Sequence, residues 1–118
     1  MKMMMPSNSE PEAIAQTENF VIWMVQDADG EPLYHLDINN LVVRFFTEEW
    51  DEFKTFAAKF AKNPKADADG VIAETEVYYA GVETSEDGDT LYTIDVTGAT
   101  IYLYEEDFRE LCELLREL

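Results

Sequence analysis

Three stretches in the first half of the chain read as strands: FVIWMVQ (20–26) is β-branched and aromatic, and LYHLDI (33–38) and LVVRFF (41–46) alternate apolar and polar residues. Period two, with β-branched and aromatic residues on the apolar beat, predicts half-buried strands. DADGEP (27–32) separates the first two, and its Asp-Gly pair supplies a residue that tolerates positive φ. Asn39–Asn40 separates the next two. The period then changes. In TEEWDEFKTFAAKF (47–60) the apolar residues fall at Trp50, Phe53, Phe56–Ala57 and Phe60, the spacing of one helix face. Thr47 reads as the N-cap, Glu48 and Glu49 suit the positive end of the helix, and Asn63–Pro64 stops it.

The same order recurs. EVYYAGV, TLYTIDV and ATIYLY follow in the positions of the first unit's strands, and EEDFRELCELLREL returns to the helical period. A shift of 58 residues lays Phe20 on Tyr78 and Phe60 on Leu118 without a gap, and DGEPLYHLDI on DGDTLYTIDV. Internal repeats fix architecture, so the expected fold is α+β: an internally duplicated βββα-βββα chain, an antiparallel sheet with two helices packed on one face. Residues 1–18 read as a disordered N-terminal tail. Residues 19–118 read as a single domain of two repeats, 19–62 and 73–118, joined by an acidic linker at 63–72. One unit is too small to bury its own face, and two together make a core. Alternation assigns Phe20, Ile22, Met24, Tyr34, Leu36, Ile38, Leu41, Val43 and Phe45 inward, with Tyr78, Ala80, Val82, Tyr92, Ile94, Val96, Ala99, Ile101 and Leu103 as their counterparts. The opposite face then carries Trp23, His35, Arg44, Phe46, Tyr79, Tyr102 and Tyr104, more apolar and more aromatic than a solvated face needs. These seven residues are the candidate interaction face, since an exposed apolar patch marks an interface.

Charge narrows the partners. Eight Lys and Arg against 26 Asp and Glu give −18. Residues 19–62 carry 8 acids and 4 bases, net −4, while residues 73–118 carry 13 acids and 2 bases, net −11. Neutralising phosphates takes clustered cations, so nucleic acid and anionic membrane surfaces are disfavoured and a basic protein partner is favoured. No run of about 18 apolar residues predicts a membrane span, and MKMMMPSNSEPEAIAQTEN lacks the apolar core of a secretory signal. Cys112 is the only cysteine, which excludes an internal disulfide and fits a reducing, cytoplasmic setting.

Two tandem sheet-then-helix units with rings on the open face resemble the Pur-alpha and Whirly-type group of single-stranded nucleic-acid binders. The stretches that carry the resemblance are FVIWMVQDADGEPLYHLDI with LVVRFFTEEWDEFKTFAAKF, and EVYYAGVETSEDGDTLYTIDV with ATIYLYEEDFRELCELLREL. The resemblance rests on element order and covers about residues 19–118. It implies the fold, dimerisation and a sheet face that stacks bases beside basic residues. In this chain Arg44 is the only cation on that face, and stacking needs an electrostatic groove beside it.

No nucleophile, base and orienting group converge, so no catalytic residue is assigned, no cofactor or metal is expected, and the protein is not expected to be an enzyme. His35 is the only histidine, and its repeat partner is Thr93. Cys112 lies on an acidic helix, where a thiolate is disfavoured. KADADGVIAETE (65–76) has Asp67, Asp69, Gly70, Ile72 and Glu76 where a twelve-residue calcium loop places such residues. Lys65 occupies the first ligand position and a strand follows, so a flexible acidic connector is expected instead, with weak divalent-ion binding as the lesser reading. Asp37 and Asp95 precede tight turns and are expected to cap them. The sequence thus predicts a small acidic interaction module acting through protein–protein contacts, most simply as a homodimer. The lesser expectation is a nucleic-acid role: strand binding on the aromatic face, or acidic mimicry of DNA toward a basic partner.

Overall fold

The computed structural model of the chain describes residues 10–96 and 98–118. The first unit runs β1 (Glu12–Gln16), β2 (Phe20–Gln26), β3 (Pro32–Ile38), β4 (Leu41–Phe46) and α1 (Thr47–Lys62). The second runs β5 (Val71–Glu74), β6 (Tyr79–Thr84), β7 (Thr90–Val96), β8 (Ala99–Tyr104) and α2 (Glu105–Arg116). The duplicated α+β architecture is as the repeat predicts. It takes the form of two four-stranded antiparallel meanders, β1-β2-β3-β4 and β5-β6-β7-β8, each followed by its helix.

Each unit opens with a strand that strand propensity does not reveal. β1 falls inside the segment read as a tail, and β5 begins at the end of the segment read as a linker; residues 1–9 of that tail lie outside the described residues. EAIAQ and VIAE are short and lie at a sheet edge, and in each only one residue is buried, Ala15 or Ala73. The repeat nevertheless extends to them. Ile14–Ala15 falls on Ile72–Ala73 and Thr17–Glu18 on Thr75–Glu76. The register slips once in each, between Ala13 and Ala15 and between Val71 and Ala73, so even the bulge is duplicated. Both link to the next strand by the same turn, in which the Thr17 N–H donates to the Phe20 carbonyl at 2.9 Å and the Thr75 N–H to the Tyr78 carbonyl at 2.8 Å.

Three Asp-Gly turns share one construction. Asp27 Oδ1 accepts the N–H groups of Asp29 and Glu31 at 2.8 and 3.0 Å, and the Gly30 N–H returns to the Asp27 carbonyl at 3.0 Å. Asp67 repeats this with Asp69 and Val71, both at 2.9 Å. Ser85 holds the third, accepting the Asp89 N–H at 3.1 Å. The DADG of residues 67–70 is therefore a second copy of the hairpin turn at 27–30. Its Asp67 carboxylate already accepts two backbone donors, and the segment leads directly into β5.

Expected capping differs in two places. β4 runs into α1 with no intervening loop, so the N-cap is Phe46 and Thr47 is the first helical residue. The Thr47 hydroxyl donates to the Pro32 carbonyl at 3.0 Å, while Glu49 Oε1 accepts the Phe46 N–H at 3.0 Å. Nor do Asp37 and Asp95 cap turns. Asp37 Oδ2 accepts Trp23 Nε1–H at 3.0 Å, and Asp95 Oδ1 accepts the hydroxyl of Thr100, its partner across the strands, at 2.8 Å. Both side chains point out of the pleat, which leaves the turn backbone beyond their reach.

The helices pack on each other, and each also touches the other unit's sheet: α1 reaches β5, and α2 reaches β1 and β2. They form one layer shared by both sheets, around a single core. Tyr34 stacks on Trp50 at 4.7 Å and Tyr92 on Phe108 at 3.9 Å, the same contact in each repeat. Between them, Phe53 and Phe56 pack on Tyr78, and Phe60 on Phe108, so rings join the two units. The inward residues are buried or half-buried as expected, with one exception. Leu41 is 37% exposed, because it opens the edge strand β4 and has no strand on its outer side.

A polar latch closes the remaining seam. Glu110 on α2 accepts the Thr17 hydroxyl at 2.5 Å, the Asn19 N–H at 2.6 Å and the Asn19 side-chain amide at 2.9 Å. Partial burial pushes its carboxyl up, but these donors and the Phe20 N–H outweigh it and hold the group below 4.5. A depressed carboxylate stabilises the fold above its unfolded value, and that contribution disappears as pH falls from the ordinary carboxylate range through the lower folded value. Glu110→Ala should cost about 1 kcal/mol near neutral pH, the low end for charged hydrogen bonds because the site is well solvated. Urea midpoints of the two proteins should converge in acid. Midpoints that stay parallel down to the acid limit would refute the latch.

Candidate interaction faces

The outward positions of β2, β3 and β4 form rows dictated by register. Trp23 lies opposite His35, and His35 opposite Arg44. The next rows are Val21–Asp37–Val42 and Val25–Leu33–Phe46. Between them lies a shallow depression of about 610 Å³, walled by Trp23, His35, Arg44, Asp37 and Val42 and closed at one end by Glu10 and Pro11. Its floor is ordered by the Trp23–Asp37 hydrogen bond. Asp37 Oδ1 is shielded from solvent and has no hydrogen-bond partner among the described residues.

The second unit builds its face differently. Gly81 stands where the first unit has Trp23, and the Tyr79 ring lies across it, filling the space a Cβ would take. Thr93 and Tyr102 complete that row. Tyr102 and Tyr104 are 61% and 63% exposed, and Phe46 on the first sheet is 66% exposed. Among the described residues no element covers them, since the helices occupy the other side of each sheet.

The seven candidate residues therefore divide. Trp23, His35 and Arg44 meet in the depression, with Phe46 on the same sheet, whereas Tyr79, Tyr102 and Tyr104 belong to the second sheet. The sequence reading missed Asp37, Glu10 and Pro11. Asp37 was legible from phase alone, two residues from His35 on the same strand. Glu10 and Pro11 carry no such signal, because only the path of β1 brings them to the rim.

Elsewhere the chemistry is sparse. Cys112 is buried, and burial pushes its thiol up to about 11, an effect only partly countered by Arg116. Arg109 pairs with Glu105 at 3.0 Å, the expected i,i+4 contact. Among the described residues no three His, Cys, Asp or Glu side chains gather where they could hold a metal ion, and no helix is long and apolar enough to cross a membrane. Compared with known proteins, the chain matches no family model, no curated protein and no solved structure.

Proposed function

We propose that this protein is a small acidic, non-enzymatic interaction module that works through protein–protein contacts on the open faces of its sheets, and that it pairs there with a second copy of itself. One observation carries the reading: Phe46, Tyr102 and Tyr104 present large apolar rings on faces that no other part of the described residues covers. Water disfavours such patches, and a partner surface removes them. The net charge of −18 steers basic partners toward the module and limits indiscriminate self-association. The reducing interior of a cell suits its single buried thiol. Strand binding is the weaker reading, because Arg44 is the only Lys or Arg in any of the eight strands.

Sedimentation equilibrium tests the pairing. The protein should have the mass of two chains, and Tyr102→Glu should return it to one without lowering its melting temperature. A one-chain mass for the unaltered protein at high concentration would count against the pairing.

A further inference from the structure

The charge of this protein is unevenly placed, and one groove, with Leu118 in its wall, is lined by three cations. The second half of α1 and the end of α2 enclose a groove of about 410 Å³. Lys54, Lys62 and Arg116 line it, and no Asp or Glu side chain does. The described residues include seven Lys and Arg, eight less Lys2, so this one groove gathers three of them against 26 acids. Its floor is apolar: Ala61 and Leu115 are buried beneath it, and Ala58 keeps its wall low.

The cations are fixed or available. Arg116 Nη1 donates to the Ala61 carbonyl at 2.9 Å, which satisfies the end of α1 and anchors the guanidinium at the groove. Lys54 meets Asp51 only loosely, at 3.9 Å with both side chains well exposed. Glu117, the residue after Arg116, is engaged elsewhere, accepting the Gln16 N–H at 3.0 Å.

We propose that this groove receives an amphipathic helical segment of a partner protein, with Asp or Glu on its polar face and aliphatic residues on its apolar face. An apolar floor between two helices accepts the aliphatic side, with small Ala58 and Ala61 allowing close approach. The cationic rim selects the acidic side. This goes beyond the sheet-face reading and does not depend on it. It also runs against the net charge, which by itself favours basic partners. Screening decides between the two. At about 0.15 M salt the Debye length is about 8 Å, so a bound segment senses the rim more than the distant acids; at about 0.01 M it is about 30 Å, and the whole anionic surface acts.

The test is fluorescence anisotropy on the full chain with a labelled helical peptide of Glu and Leu. A Lys-and-Leu peptide, a Glu-and-Ser peptide and phosphatidylglycerol vesicles serve as comparisons. The Glu-and-Leu peptide should bind, weakening both as salt drops toward about 0.01 M and as it rises toward 1 M. Lys54→Glu with Lys62→Glu should weaken binding at least about tenfold, as loss of a facing charge pair does. Ala58→Trp should block the floor to a similar degree. All three positions are solvent-exposed or at the groove wall, and unchanged melting will verify the fold. The proposal is overturned if the Glu-and-Leu peptide fails to bind at about 100 µM. It is equally overturned if the Lys-and-Leu or Glu-and-Ser peptide binds as well, if the variants bind like the parent, or if only the vesicles bind.

Discussion

Phe56→Ala is expected to remove about 3–5 kcal/mol of stability, the largest single loss in this fold. Phe56 is fully buried on α1 and packs on Phe53, Phe60 and, from the other unit, Tyr78. Truncation leaves a cavity at the point where the two repeats share their interior. Neighbouring rings are rigid and already in contact with one another, so they cannot collapse into it. A domain of this size holds about 5–15 kcal/mol in all, so the variant should be close to unfolding at physiological temperature. Urea denaturation followed by both tryptophan fluorescence and circular dichroism provides the measurement. The midpoint should drop while the two probes stay coincident, because both units depend on one core. A loss below about 1 kcal/mol, or two separated transitions, would mean that the units are independent and the shared interior is misread.

Gly70→Ala is expected to cost about 2–4 kcal/mol, and Gly88→Ala about 1 kcal/mol. Both glycines sit at positive φ, +85° and +88°, in the second and third copies of the same turn. The backbone penalty is therefore alike. What differs is the space. A Cβ on Gly88 meets nothing within 4 Å, whereas on Gly70 it would stand 2.6 Å from the Val82 carbonyl oxygen. That oxygen belongs to a strand locked to Gly70 by the Val82 N–H bond to the Gly70 carbonyl at 2.8 Å. Relief would require β5 to part from β6. Equal losses in the two variants, read from urea midpoints, would show that the β5 docking is not as tight as described.

Much of this fold was legible because a repeat reports itself twice. The 58-residue shift aligns β2, β3, β4 and α1 with β6, β7, β8 and α2 residue by residue, and alternation sorts inward from outward side chains correctly in nearly every strand. β1 and β5 were not legible from propensity, because EAIAQ and VIAE bury one small residue each and need a neighbour to become strands. Their signal lay in extending the repeat upstream, to Ile14 and Ile72. The candidate faces were legible only as a list. His35, Trp23 and Arg44 lie on three different strands, and register alone makes them neighbours. The Glu110 latch joins positions 91 and 93 residues apart, a separation no local pattern encodes.

The sequence by itself determined the elements, their order, their duplication and the hydrophobic side of each. These follow from the 2.0 and 3.6 residue periods of local backbone geometry, which need no knowledge of distant residues. The tertiary structure alone decided that the strands divide into two sheets, that each helix also reaches the other unit's sheet, and that seven ring-bearing and polar residues separate onto two faces. It also decided that three of the scarce cations meet between the helix ends. Those outcomes depend on which surfaces bury each other, a property of the folded chain as a whole and absent from any single segment.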